Sequence, residues 1–112
     1  MTEPVFVRVL HADALPRGRM RCVEVAGREV LLCATGDAVY ALGPICSHAH
    51  SRMDEGRLRN HRLVCALHGA SFDVRNGAVL GGPAAEPLPS FPCRRVDGFI
   101  EVGIPSPANP GE

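Results

Sequence analysis

The 112-residue sequence contains no lysine and no tryptophan, and aromatic residues make up only 4% of it. Its twelve arginines balance twelve aspartate and glutamate residues, so the formal net charge is zero. A chain without excess positive charge has no electrostatic reason to bind DNA, RNA or anionic lipid. We therefore expect neither nucleic acid nor a membrane surface among its partners.

Long apolar runs are also missing. No stretch approaches the length that is needed to span a bilayer. The first ten residues carry Glu3, Pro4 and Arg8 where a signal peptide would need an apolar segment, so we expect the protein in the cytoplasm. Five cysteines in that reducing compartment indicate metal ligands or buried thiols before disulfides.

Turn-forming residues, in contrast, are frequent, with twelve glycines and ten prolines. Frequent turns and little aromatic bulk favour a protein of many short strands that is stabilised by more than its core. A bound inorganic group would supply such stabilisation, because ligand binding is coupled to folding.

Alternating apolar residues and turn signals predict an all-β, antiparallel fold of the sandwich or barrel type. We expect a single domain over residues 1–104, in which both ends of the chain build a base domain. A loop-rich lobe is expected over about residues 43–83, and residues 105–112 are expected to be a disordered tail. The predicted strands cover residues 5–10, 21–25, 29–33, 38–42, 57–59, 62–65, 72–74, 93–96 and 99–102.

Two short motifs in the expected lobe carry metal-ligand chemistry. Cys46-Ser47-His48 is followed, after sixteen residues, by Cys65-Ala66-Leu67-His68. Two thiolates with two imidazoles suit Zn²⁺, or an iron cluster in which two histidines replace two cysteines on one iron. Structural zinc sites usually separate paired ligands by two to four residues. The single residue between Cys46 and His48, and the alternating order of the ligands, favour the iron cluster, and zinc stays the alternative.

The two motifs together resemble the ligand pattern of Rieske [2Fe–2S] proteins. The resemblance implies a Rieske fold with a small cluster-binding lobe and one [2Fe–2S] cluster that is held by Cys46, His48, Cys65 and His68. It covers roughly residues 5–104 and extends to flanking segments, which are Met53-Asp54-Glu55-Gly56, residues 68–73, Gly77, residues 81–84 and residues 87–92.

Two departures from the high-potential members of this family indicate a low reduction potential. Those members carry a disulfide between the ligand loops, and the matching positions here are Ser51 and Leu67, which cannot form one. They also carry a serine and a tyrosine that donate hydrogen bonds to cluster sulfur, where this sequence has Ala70 and Phe72. Fewer donors leave the reduced cluster less stabilised, which lowers the potential.

The resemblance to low-potential Rieske ferredoxins implies an electron carrier rather than an enzyme. Such a ferredoxin takes single electrons from an NAD(P)H-dependent flavoprotein reductase and passes them to a terminal oxygenase, commonly one that hydroxylates aromatic rings. Both contacts are expected to be transient, and the carrier is expected to be a monomer. Two alternatives stay open: a small Rieske-like subunit of an assimilatory nitrite reductase, and a cluster-based redox sensor.

Several further residues have two interpretations. His50 lies two residues after His48 and is interpreted as a polar loop residue rather than a ligand. The basic run of Arg52, Arg57, Arg59 and Arg62 is interpreted as a solvated surface, with a docking patch for an acidic partner as the alternative. Residues 81–83 are expected to form a loop that shields the cluster. The remaining cysteines, Cys22, Cys33 and Cys93, are expected to be small buried side chains.

Overall fold

The computed structural model describes residues 5–36, 38–45, 52–66, 69–82 and 86–104. Eleven strands are found in this part of the chain: β1 (Val5–His11), β2 (Met20–Val25), β3 (Arg28–Thr35), β4 (Ala38–Leu42), β5 (Arg57–Arg59), β6 (Arg62–Val64), β7 (Ser71–Asp73), β8 (Val79–Gly81), β9 (Ser90–Phe91), β10 (Cys93–Val96) and β11 (Phe99–Ile104). The helical segments among these residues are two three-residue 3₁₀ turns, Ala12–Ala14 and Met53–Glu55. No helix in the described ranges is long and apolar enough to cross a membrane.

The strands form three antiparallel sheets. The first has the order β1-β11-β10, the second β2-β3-β4-β9 and the third β5-β6-β7-β8. Two-residue turns close several hairpins, and Ala26-Gly27 and Asp97-Gly98 have positive φ angles at both positions, as type I′ turns require. The expected all-β, antiparallel architecture is therefore confirmed.

The second sheet lies between the other two and contributes to two apolar clusters. Along β3, Val30 and Leu32 pack towards the first sheet, where they meet Ile100 and Val102. The alternate residues Leu31 and Cys33 pack towards the third sheet, where they meet Leu63 and Phe72. The buried residues of this second apolar cluster are Leu31, Cys33, Leu42, Met53, Leu63, Cys65, Ala70, Phe72, Val74 and Leu88. Because β3 is buried on both faces, its sequence is apolar without alternation from Val30 to Ala34.

The two ends of the chain meet in the first sheet, where β1 and β10 both pair with β11. The third sheet is built from residues 57–81 and is the described part of the expected lobe. The proline-rich segment after Gly82 contains β9, which the sequence pattern does not predict because this strand is only two residues long. It pairs with β4 through Ala41 and Leu42 and so returns the chain from the lobe to the second sheet. The single-domain boundary at residue 104 stays a prediction, and residues 105–112 lie outside the described residues.

Candidate metal centre

Of the four predicted ligands, the structure describes Cys65. Cys46, His48 and His68 lie outside the described residues. Cys65 follows directly after β6, and only 2% of its surface is exposed. Its neighbours in the apolar cluster include Met53, Ala70 and Phe72. The expected thiolate ligand therefore follows the end of β6 and is itself buried against the apolar cluster.

The two ends of the second ligand segment are held together by the backbone. The Cys65 N–H donates a hydrogen bond of 2.7 Å to the carbonyl oxygen of Ala70. Gly69 has φ +74°, a conformation that side chains rarely adopt. Gly82 lies against the same segment, since a Cβ at Gly82 would stand 2.7 Å from Ala70 Cα and 2.9 Å from the Gly69 carbonyl oxygen. The residues next to His68 are therefore tightly held from two sides.

The first ligand segment is closed in a similar way. Ile45 and Arg52, the residues on either side of positions 46–51, form an antiparallel bridge. The Met53 N–H donates a 2.7 Å hydrogen bond to the carbonyl oxygen of Pro44. Met53 itself is completely buried in the cluster that contains Cys65. Residues 46–51 thus connect two backbone positions whose separation is set by the core.

The turn that follows the first ligand segment lies next to the strand that leads into the second, beside Cys65. Gly56 follows the Met53–Glu55 turn and lies so close to the Val64 carbonyl that any side chain on Gly56 would overlap that oxygen. An open hollow next to this contact is lined by Glu55, Gly56, Arg57, Val64, Cys65, Ala66 and Gly69. Glu55 and Gly56, which follow the first ligand segment, therefore border one hollow together with Cys65 and Gly69 of the second. This arrangement fits a metal centre that takes ligands from both segments.

Arg52 connects the first closure to the second sheet. Its guanidinium donates hydrogen bonds of 3.1 and 2.6 Å to the two carboxylate oxygens of Glu29, and of 3.1 Å to Asp54 Oδ1. A further contact of 3.2 Å reaches Cys22 Sγ. The hydrogen bonds from Arg52 lower the pKa of Glu29, so this pair stays charged at neutral pH. Arg52 is therefore paired with carboxylates of its own chain, whereas Arg62 binds a neutral hydroxyl and the described residues give Arg57 and Arg59 no ion pair.

The cysteines outside the motifs are protonated thiols at neutral pH. Burial raises the pKa of Cys33 to about 12 and that of Cys93 to about 11. Burial, together with Asp54, raises the pKa of Cys22 to about 11 although Arg52 opposes the shift. All three are free. Cys33 is fully buried as expected, whereas Cys22 and Cys93 are half-buried at the margins of the two apolar clusters.

The residues that replace the hydrogen-bond donors of high-potential proteins are buried. Ala70 and Phe72 have no measurable exposure, and neither side chain carries a donor. Ser71 lies between them, and its hydroxyl accepts a 2.8 Å hydrogen bond from Arg62 on the outer face of the third sheet. Ser51, Leu67 and His50, which the sequence analysis also singled out, lie outside the described residues.

The structure adds Arg75 to the basic residues of the lobe. Its guanidinium donates hydrogen bonds of 3.0 and 2.9 Å to Asp73, and its backbone N–H donates to the same carboxylate. A carboxylate that accepts from the backbone two residues later is a turn signature, and Asn76-Gly77 follows. That local signal could have located Arg75 beside the lobe, whereas nothing local could have paired Arg52 with Glu29, twenty-three positions apart.

Comparison with known proteins agrees with this geometry. The profile of the Rieske [2Fe–2S] domain matches residues 5–92. The ferredoxin subunit of anthranilate 1,2-dioxygenase from Burkholderia cepacia is 37% identical over 81 residues, which cover 71% of this chain and 75% of that protein.

Two solved structures give the same result at the level of the fold. The ferredoxin of carbazole 1,9a-dioxygenase from Nocardioides aromaticivorans IC177 superposes with a TM-score of 0.82 at 34% identity, covering 91% of this chain and 97% of that one. One chain in a complex of reduced oxygenase and oxidised ferredoxin of carbazole 1,9a-dioxygenase superposes with a TM-score of 0.83 at 27% identity, covering 89% and 94%. These relatives are electron-transfer components rather than catalytic subunits, as the sequence analysis predicts for this chain. The chain belongs to the Rieske [2Fe–2S] family.

Proposed function

We propose that this protein is the ferredoxin component of a ring-hydroxylating dioxygenase system. It accepts single electrons from an NAD(P)H-dependent flavoprotein reductase and delivers them one at a time to a terminal oxygenase. The relatives at 37% and 34% identity are named as ferredoxins of two such systems, which supports this role over the nitrite reductase subunit and the redox sensor. The cytoplasmic location and the monomeric state stay predictions.

The observation that carries the proposal is the position of Cys65. Its thiol is buried at a hollow that Gly69 of the second ligand segment borders together with Glu55 and Gly56, which follow the first segment in the chain. We infer that Cys46 and Cys65 bind one iron of the cluster, and that His48 and His68 bind the other. When bound, the cluster supplies one-electron chemistry. The chain buries Cys65, and backbone contacts join the residues that flank each ligand segment.

The described surroundings also support a low reduction potential. Ala70 and Phe72 carry no hydrogen-bond donor in their side chains, and Ser71 lies on the opposite side of β7 from Phe72, next to Arg62. Without side-chain donors, the extra negative charge of the reduced cluster is less stabilised, and the reduction potential is lower. A low potential suits a carrier that must give its electron to an oxygenase.

A matched pair of cysteine variants tests the ligand assignment. Cys65 and Cys33 belong to the same apolar cluster and are almost equally buried. We expect Cys65→Ala to abolish the visible absorbance of the cluster and its electron paramagnetic resonance signal, while Cys33→Ala retains both. His48→Ala against His50→Ala makes the same comparison for the first segment. A Cys33→Ala or His50→Ala protein that loses its cluster while the Cys65→Ala or His48→Ala protein keeps it would contradict the assignment.

An anaerobic redox titration, followed by mixing with oxidised terminal oxygenases, tests the function itself. We expect a rhombic signal of low average g value that appears only at low potential, and reduction of at least one oxygenase of an aromatic dioxygenase system. Zinc in place of iron would overturn the cluster. A normal cluster that reduces no oxygenase, in a protein that copurifies with a sirohaem-containing chain, would favour the nitrite reductase subunit.

A further inference from the structure

The outer face of the third sheet carries an unusual concentration of arginine. Arg57 and Arg59 of β5 are exposed, whereas Leu58 between them packs against the core. Arg62 of β6 lies on the same outer side, and Arg75 follows β7. We call these four residues the arginine face. They are a third of all the arginines in a chain whose net charge is zero.

Most of the positive charge on this face is not paired with a carboxylate in the described part of the chain. Asp73 is paired with Arg75, and Arg62 is bonded to the neutral hydroxyl of Ser71. Within the described residues, Arg57 and Arg59 form no ion pair. Among the described residues, Asp73 is the carboxylate that is ion-paired on this face, and Glu55 lines a hollow together with Arg57. Three arginines outside this face are paired with carboxylates: Arg52 binds Glu29 and Asp54, and Arg8 and Arg94 both lie next to Glu101.

Two of these arginines stand directly opposite each other across the sheet. Arg59 of β5 and Arg62 of β6 are register partners in the antiparallel pair. Like charges at directly opposed positions destabilise a sheet. The fold therefore keeps an unfavourable pair on its outermost layer, and an anionic group from another molecule would relieve the repulsion.

The arginine face also contains an apolar centre. Leu80 of β8 is one of three large hydrophobic residues that are exposed in the described structure, with 45% of its surface accessible. A shallow hollow is bordered by Leu80 and by Arg59, Arg62 and Arg75, together with Asn60, His61 and Asp73. An exposed apolar side chain surrounded by arginines is typical of protein interfaces, in which arginine is enriched. Small anions would not require the apolar centre.

The arginine face reaches the candidate metal centre at one end, through Arg57. Arg57 borders the hollow that Cys65 and Gly69 also line, and Arg62 begins the strand that ends next to Cys65. Glu55 is the acidic residue in the same hollow. A protein bound to this face would therefore lie next to the site from which the electron leaves.

We propose that the arginine face binds a carboxylate-rich surface of the terminal oxygenase. This inference rests on the proposed function, since it names the surface through which that electron transfer takes place. Opposite charges on the two partners accelerate their encounter and make its rate fall with ionic strength. The Leu80 side chain would be covered in the complex, which gives the contact an apolar centre as well as charge.

Charge reversal on the face, with a matched control elsewhere, tests the proposal. Arg57→Glu/Arg59→Glu changes two exposed residues that form no ion pair among the described residues and leaves Arg62 and Arg75 in place. Arg19→Glu/Arg21→Glu makes the same change in net charge, with the same spacing, on the exposed surface near β2. Both holoproteins, reduced with dithionite, are mixed in a stopped-flow instrument with an oxygenase that the unmodified holoprotein reduces. Equal cluster absorbance and electron paramagnetic resonance spectra establish that both variants are loaded.

We expect the second-order rate constant of the Arg57→Glu/Arg59→Glu variant to fall by about tenfold or more at low ionic strength. Its dependence on salt should be lost or inverted, and Arg57→Gln/Arg59→Gln should lie between it and the unmodified protein. Equal rates for the reversed and unmodified proteins, or an equal fall in the control, would overturn the docking face alone. If the unmodified protein reduces no oxygenase, the proposed function fails, and this docking assignment fails with it. A defect confined to electron uptake from the reductase would also overturn it.

Discussion

Gly82 provides the sharpest test of how the fold holds the metal centre. It has φ +83°, and a Cβ at this position would approach Ala70 Cα to 2.7 Å and the Gly69 carbonyl oxygen to 2.9 Å. Gly27 in the β2–β3 turn has nearly the same φ, +79°, but has open space around it. Gly82→Ala and Gly27→Ala therefore share the conformational penalty and differ in the close contact.

The two penalties can be estimated separately. A non-glycine residue in the left-handed region costs roughly 1–2 kcal/mol, partly offset because alanine restricts the unfolded chain. We expect Gly27→Ala to lower the free energy of unfolding by about 1 kcal/mol on this basis. Displacing a packed backbone adds roughly 1–3 kcal/mol, so Gly82→Ala should lose about 2–4 kcal/mol in total.

The assay follows the holoprotein anaerobically during heating, by far-ultraviolet circular dichroism and by the visible absorbance of the cluster. For a domain of this size, about 1 kcal/mol corresponds to a shift of roughly 4–8 °C in the midpoint. Since Gly82 presses on the backbone next to His68, Gly82→Ala should also alter the electron paramagnetic resonance spectrum, which Gly27→Ala should leave unchanged. Equal midpoints and equal spectra for the two variants would refute the inference that this close approach holds the second ligand segment.

Two further predictions concern the reduction potential and the response to acid. Ala70→Ser and Phe72→Tyr each place a hydroxyl donor at a buried position, so each should raise the midpoint potential of the cluster. The potential is measured by a redox titration followed by electron paramagnetic resonance. An unchanged or lower potential for both variants would contradict our explanation of the low reduction potential. The hydrogen bonds from Arg75 lower the pKa of Asp73 below its ordinary value of 3.8. That pair therefore stabilises the fold fully above about pH 4 and loses its contribution as the pH falls through the lower folded pKa. Asp73→Asn should melt below the unmodified protein at pH 7, and the gap between the two midpoints should narrow as the pH falls below 3.8, when both are followed by circular dichroism. A gap independent of pH would show that the carboxylate charge contributes nothing.

Local sequence was enough to predict most of the strands. Ala26-Gly27 and Asp97-Gly98 adopt positive φ angles that few residue pairs favour. These turns can therefore be predicted from the local sequence, without knowing which strands pair with each other. The two-residue strand β9 was not predictable, because its two residues carry no period and its pairing with Ala41 and Leu42 joins segments about fifty positions apart. The same limit applies to the contact of Arg52 with Glu29.

Residue types and spacing in two local motifs were enough to predict Cys46, His48, Cys65 and His68 as metal ligands and to favour an iron cluster over zinc, and the resemblance to the Rieske family specified that cluster. Only the tertiary structure decided how those motifs are held: Cys65 at the inner end of a strand, Gly56 under the Val64 carbonyl, and the arginines divided between internal pairs and an outer face. The physical reason is that covalent neighbours specify turns and donor atoms, whereas burial and charge compensation depend on which distant residues the fold brings into contact. For that reason the basic run, which is continuous in the sequence, is divided in the structure. Arg52 is paired with Glu29, whereas Arg57, Arg59 and Arg62 lie on the outer face of the third sheet with Arg75.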